Sequence, residues 1–240
     1  REIRMEENPS FPGMNNPEPI IDNLGPLVNE VRNSGADVGL ATDGDGDRLG
    51  IVDSSGDFID QLKTFGLLAY YILEIRGQRG PMVKSVTATD MIYKLSDIYD
   101  VPVHQTPVGF KYLGPKMAET EAIIAGEESG GFAFAGHIPE RDGILSGLYF
   151  LDLMVQCKNN PRDLVSNLYD KVGHHYYDRV DITNLNRQIL FNSKDVGKFK
   201  VDQASRVIKN INNKIKVFPY KDKINKKNIK NILNKFDINC

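Results

Sequence analysis

The opening stretch, through Asn16, is polar and punctuated by Pro9, Pro12 and then Pro17, so it reads as loop. From Pro19 to Val31 apolar residues recur at helical spacing, at Ile20, Leu24, Leu27, Val28 and Val31, and Gly35 ends that helix. Asp37 to Ala41 predicts a short strand and Thr42 to Arg48 a polar turn. Leu49 to Val52 and Phe58-Ile59 flank Ser54-Ser55-Gly56, which predicts a β-hairpin. A second unit begins near Gln61, where Leu62, Phe65, Leu68, Ala69 and Ile72 form a helical stripe. Pro81 to Val86 is an apolar strand, and Thr89 caps a helix carrying Met91, Ile92, Leu95 and Ile98. Val101 to His104 and Ala122 to Ala125 are further strands, and Asp142 caps a helix through Leu145, Leu148, Leu151 and Met154. Strands alternating with helices predict an α/β layer fold.

Composition narrows the function classes more than the fold. The chain has 240 residues, 40% of them hydrophobic, which suits one or two globular domains. Charged residues make up 26% and the net charge is −2, a balance that singles out neither nucleic acid nor an anionic membrane as partner. No apolar run is long enough for a bilayer and no signal-peptide pattern opens the chain, so a cytoplasmic protein is expected. Because the pattern starts at Arg1 in mid-course, a fragment is expected too. Cys157 and Cys240 match no metal or redox spacing and read as free thiols. The last forty residues differ: ten Lys and Arg against three acids give +7, leaving −9 for the rest. With few aromatics for base stacking, that Asn- and Ile-rich tail reads as a solvated basic helix rather than a nucleic-acid site.

The most informative segment is V-G-L-A-T-D-G-D-G-D-R-L-G-I-V at 38 to 52. Asp43, Asp45 and Asp47 alternate with glycines directly after an apolar strand, and carboxylates so close repel unless a cation neutralises them. Oxygen-only ligands select a hard ion, Mg²⁺ or Ca²⁺. Gly44 and Gly46 let the backbone fold tightly, and a loop after a strand suits the ligand-binding end of an open α/β sheet. A calcium EF-hand loop needs Gly at its sixth position and Glu at its twelfth; counted from Asp43 these are Arg48 and Ser54, so that reading fails. A haloacid-dehalogenase-type aspartyl phosphatase also places D-x-D after a strand, but Asp47 stands where its Thr belongs. An ordinary acidic surface turn is the third alternative.

Two further loops carry candidate chemistry. In A-I-I-A-G-E-E-S-G-G-F at 122 to 132, Glu127 and Ser129 offer acceptors and a donor to sugar hydroxyls, against the plainer reading of a capping motif. In Q-T-P-V-G-F-K-Y-L-G at 105 to 114, Lys111 follows a Pro/Gly turn and offers a point charge for phosphate, against the commoner solvent-facing lysine. His104, His137, His174 and His175 show no zinc spacing.

Together, F-P-G with N-P-E-P at 11 to 19, D-G-D-G-D-R at 43 to 48, T-P-V-G-F-K at 106 to 111, G-E-E-S-G-G at 126 to 131 and D-G-I at 142 to 144 resemble the α-D-phosphohexomutase family of phosphoglucomutases and phosphomannomutases. The resemblance covers about the first two-thirds and is lost past Tyr177. It implies mixed sheets flanked by helices: residues 1–60 as the latter part of the second domain, 61–173 as a three-layer α/β/α third domain, and 174–240 as a divergent basic tail, a linker or remnant of a fourth domain. It further implies Mg²⁺ on Asp43, Asp45 and Asp47, Arg48 and Lys111 as catalytic residues with Arg48 at the phosphoryl-transfer site, Glu127 and Ser129 on sugar hydroxyls, and Lys111 also lining the cleft for substrate. The implied partners are a hexose phosphate, a hexose bisphosphate and the remaining domains of the same protein, with no nucleic acid and no membrane. Two departures stand out: the phosphoserine loop of T-A-S-H-N-P type and the fourth domain's phosphate clamp are absent from these 240 residues. Some phosphomannomutase-like members carry a histidine where this chain has Gly131. A sugar-phosphate-binding fragment without catalysis is therefore the other class of function to weigh.

Overall fold

A computed structural model of the chain describes residues 1–14, 16–175 and 200–211. The chain divides into two compact units, Arg1–Tyr176 and Tyr177–Cys240.

In the first unit the predicted opening helix splits in two. Ile21–Asn23 is a single 3₁₀ turn, and α1 (Gly25–Ser34) follows with Pro26 in its first turn. It stops at Gly35, in the left-handed region at φ 66°, whose N–H donates to the Val31 carbonyl. The face carrying Leu24, Leu27 and Val31 packs on Val52. The strands are β1 (Val38–Thr42), β2 (Leu49–Asp53) and β3 (Phe58–Ile59), antiparallel in that order. Buried Asp53 fixes the β2–β3 turn, its Oδ1 accepting from the Ser55 and Asp57 amides at 2.9 Å each. Because β1 pairs with β2 through Thr42 and Leu49, the acidic segment closes an antiparallel hairpin. It does not sit on the open end of a parallel sheet, as a carboxylate loop after a lone strand suggests.

The rest of this unit has three layers. The α2 helix (Gln61–Tyr70), capped by the Asp60 carboxylate, runs into a π-helical turn at Tyr71–Ile75. After it come β4 (Met82–Ser85), α3 (Met91–Tyr99), β5 (Val103–Thr106), α4 (Phe110–Thr120), β6 (Ile124–Gly126), β7 (Phe132–Phe134), α5 (Gly143–Cys157) and α6 (Pro161–Val172). The sheet order is β5-β4-β6-β7, with β4 parallel to both β5 and β6, and β7 antiparallel to β6. On one face α4 packs Phe110, Leu113 and Met117 against Val83 and Ala125. On the other, α2, α3, α5 and α6 bury the larger core around Phe65, Leu68, Ile92, Phe150 and Leu168. Leu49 and Ile51 of the hairpin sheet join that same core, so the two sheets are packed as one body. No helix among the described residues is long and apolar enough to cross a membrane. In the second unit the described part is α7 (Lys200–Ile211); the remainder of the expected basic helix lies outside the described residues.

Candidate functional site

The loop at 43–48 folds around Asp43. Its Oδ1 accepts from the amides of Asp47 at 3.0 Å and Arg48 at 3.1 Å, and Gly46 makes the reversal at φ 77°. This turn brings one carboxylate oxygen from each of Asp43, Asp45 and Asp47 within 4.8 Å of one another. Asp45 is exposed and the other two are half-buried. Like charges at about 4 Å repel by about 1 kcal/mol in water and about 4 at an effective dielectric of 20, so the turn needs positive charge nearby. Two arginines supply it. Arg48 Nε lies 3.3 Å from Asp43 Oδ2, and its Nη1 reaches Glu18 at 3.0 Å. Arg141 Nη2 lies 2.7 Å from Asp47 Oδ2. Even so, burial first and then the neighbouring acids push Asp47 up to about 6, against the pull of Arg141. Asp47 Oδ1 is buried without a hydrogen-bond partner, as are Arg48 Nε, 3.8 Å from it, and Arg141 Nε. Three converging oxygen donors with one oxygen still unsatisfied fit a hard divalent cation.

The second loop follows β6, at the carboxyl ends of the parallel strands. Glu127, 4% exposed, accepts from Ser129 Oγ at 2.7 Å and from Arg141 Nη1 at 3.3 Å through the same Oε1. Its neighbour Glu128 turns away, its Oε2 accepting from Ser85 Oγ at 3.2 Å and from Thr87 Oγ1. The two loops are stitched by backbone: Leu49 N–H donates to Gly130 O at 3.0 Å, Gly143 N–H to Gly46 O at 2.9 Å, and Arg48 bridges to Gly131. Beside this stitch Asp142 caps α5, accepting from the Leu145 amide at 2.8 Å, and pairs with His137 at 3.0 Å.

Asp43, Asp45, Asp47, Arg48, Glu127 and Ser129 thus meet in one place. Lys111 makes no hydrogen bond or ion pair with them. It sits in the first turn of α4, following β5 and therefore at the same end of the sheet, but it is exposed and lies over the ring of its neighbour Tyr112 at 5.0 Å. Arg141 is a site residue that the sequence motifs do not reveal, although it directly precedes D-G-I. A cation beside the N-terminus of a helix opposes the helix dipole, so an arginine preceding the capping Asp142 signals acidic partners elsewhere.

An acidic hairpin turn and a glutamate–serine turn, joined at the carboxyl end of a three-layered sheet, define a two-part site of α/β class. The family model described as phosphoglucomutase/phosphomannomutase, alpha/beta/alpha domain II matches residues 1–56, and that for domain III matches 60–172. The chain belongs to the α-D-phosphohexomutase family, over its second and third domains. It is 28% identical over 174 residues to phosphoglucomutase-1 of Homo sapiens, covering 70% of this chain and 31% of that one. With phosphoglucomutase/phosphomannomutase of Thermococcus kodakarensis it shares 31% over 158 residues, covering 66% and 34%. A solved structure described as a putative phosphomannomutase from Thermus thermophilus superposes with a TM-score of 0.65 at 35% identity, covering 69% of this chain and 38% of that one. The chain spans about a third of the length of the curated relatives it matches. Separately, the ThiF family model matches residues 177–240.

Proposed function

We propose that residues 1–60 and 61–173 are the metal- and sugar-binding portion of a cytoplasmic phosphohexomutase that interconverts hexose 1-phosphate and hexose 6-phosphate through a bisphosphate. Asp43, Asp45 and Asp47 hold Mg²⁺, whose chemistry when bound is to neutralise charge on a transferring phosphoryl group. Arg48, tied to Asp43, supplies a second positive charge at that point. Glu127 and Ser129 orient sugar hydroxyls, and Lys111 contributes a phosphate-facing charge at the same sheet end. The observation that carries this reading is the meeting of the acidic turn and the glutamate–serine turn through Arg141. The substrate class is a hexose phosphate, the chemistry common to relatives named phosphoglucomutase, phosphomannomutase and phosphoglucosamine mutase. The match of 177–240 to the ThiF family favours an origin for the tail outside the mutase over a remnant of a fourth domain.

The aspartyl-phosphatase alternative needs Asp43 free as nucleophile, whereas its Oδ1 accepts two amides and its Oδ2 faces Arg48. Covalent transfer needs a nucleophile, and these 240 residues carry no serine loop of the phosphohexomutase type. The expected result is divalent-cation binding without turnover. Electron paramagnetic resonance of Mn²⁺ should show a site that Asp45→Asn weakens at least tenfold. A coupled assay with glucose 1-phosphate, Mg²⁺ and glucose 1,6-bisphosphate should show no product. Turnover abolished by Asp45→Ala would overturn the assignment and return Asp43 as nucleophile.

A further inference from the structure

The acidic turn must be neutralised whether or not a metal is bound, and the two arginines that do so are not equivalent. Arg48 belongs to the turn itself and is anchored at its far end by Glu18. Arg141 arrives from a distant loop and spans Asp47, at 2.7 Å from Nη2, and Glu127, at 3.3 Å from Nη1, while its Nε lies 3.4 Å from its exposed neighbour Glu140. Its position immediately before the cap of α5 is an unfavourable one for a cation, which these carboxylates offset. Its path depends on Gly131: a Cβ there would lie 2.2 Å from Arg141 Cδ and 2.7 Å from Cγ. Glycine at 131 leaves the corridor through which Arg141 crosses between the loops.

We infer that Arg141 is a positioning residue that acts as the internal counter-cation of the acidic turn, sharing Asp47 with the metal and holding Glu127 in its place. The inference rests on the reading of Asp43, Asp45 and Asp47 as a divalent-cation site. A metal and a guanidinium drawing on one carboxylate compete for it and repel each other. Arg141 therefore lowers metal affinity while keeping the metal-free turn folded, and metal binding shifts the guanidinium's share toward Glu127. The coupling is reciprocal: whatever tightens the Arg141–Glu127 pair frees Asp47 for the cation. Gly131 is the second determinant, because an uncharged side chain there displaces Arg141, and presses on Glu127 Oε1 at 3.3 Å, without altering charge.

The test measures Mn²⁺ binding to the full 240-residue chain by paramagnetic resonance, with Mn²⁺ alone. Arg141→Met removes the charge and keeps the bulk; it should bind Mn²⁺ about tenfold tighter, the scale of one unit charge near a divalent ion under water screening. Gly131→Ala should shift affinity in the same direction, and Arg141→Lys should stay within about threefold of wild type because the charge remains. In the metal-free protein, amide exchange at 43–48 and 126–131 should quicken in Arg141→Met, and Mn²⁺ should restore protection at 43–48. Unchanged or weaker binding in both Arg141→Met and Gly131→Ala, each with wild-type circular dichroism, overturns the inference. If Asp45→Asn abolishes wild-type binding in that same experiment, the metal-site reading survives and only the role of Arg141 falls. If neither wild type nor Arg141→Met shows a site sensitive to Asp45→Asn, the metal-site reading fails and the inference with it.

Discussion

Gly143→Ala should separate the acidic turn from α5. Gly143 is the first residue of that helix, and its N–H donates to Gly46 O at 2.9 Å. A Cβ would stand 2.3 Å from Arg48 O and 2.8 Å from Gly46 O, and both are backbone atoms that no rotamer change can move aside. Retreat of the helix is opposed by Asp142 N–H, which donates to Phe132 O at 3.0 Å. Overpacking of this kind costs about 1–3 kcal/mol. Loss of the amide–carbonyl bond adds about 1 kcal/mol. Replacing glycine by alanine in a helix returns at most about 1 kcal/mol. The net expectation is about 2 kcal/mol, or a fall in Tm of about 4–8 °C for a body of this size. Circular dichroism melting gives the stability, and Mn²⁺ resonance should show weaker binding at the displaced turn. Gly46→Ala is the contrast: it sits at φ 77° but a Cβ there meets nothing within 4 Å, so it carries only a left-handed strain of about 1–2 kcal/mol. A Gly143→Ala protein melting within about 1 °C of wild type, with unchanged Mn²⁺ affinity, would refute the packing argument.

Glu128→Ala should loosen the glutamate–serine turn from the β4–α3 connection, costing about 1.5–3 kcal/mol through the lost bonds from Ser85 and Thr87 and raising amide exchange at 126–131; wild-type exchange there would disprove the anchoring role. Proton and cation compete for Asp47, so Mn²⁺ affinity should fall as pH drops below about 6, and constant affinity from about pH 7 to 5 would count against Asp47 as a ligand. Without metal the sign is opposite for stability: a carboxyl raised from 3.8 to about 6 contributes stability below the lower value that is lost as pH rises through the upper one.

Where local chemistry and tertiary packing agreed, the fold was legible. Gly35 ends α1, Asp142 caps α5 by its own carboxylate, and the Ser54-Ser55-Gly56 turn joins β2 to β3. Thr89 does accept from the Met91 amide, although Asp90 holds the cap position itself. The misses have separate causes. Helix α4 was hidden behind Pro107, Gly109 and Pro115, residues that read as turn chemistry, and burial of Phe110, Leu113 and Met117 overrides them. Helix α6 carried its signals openly, with Asn160 as a cap accepting from the Asp163 amide and Pro161 behind it. At three residues, β7 is too short to show alternation.

For the site, residue types and the closing of the acidic turn were legible, and the bonds that join the two turns were not. Spacing alone put three carboxylates on one turn, and Asp43, Asp45 and Asp47 do converge. No spacing rule could join that turn to Glu127, because the link is made between segments far apart in sequence, by Leu49 N–H to Gly130 O and Gly143 N–H to Gly46 O. Those bonds exist only once β2 and β7 have been brought side by side by the shared core around Leu49, Phe132 and Phe150. Arg141 follows from the same geometry: its partners Asp47 and Glu127 belong to loops that become neighbours through the stitch. The absence of Lys111 from the group has the complementary reason. It stands on the first turn of a helix whose buried face is set by Phe110 and Leu113, which leaves the intervening positions, Lys111 and Tyr112, facing solvent. The sheet end is therefore common to the Lys111 and glutamate–serine loops, but the packing of α4 leaves Lys111 on the exposed side of its helix, while Arg141 ties the acidic and glutamate–serine turns together.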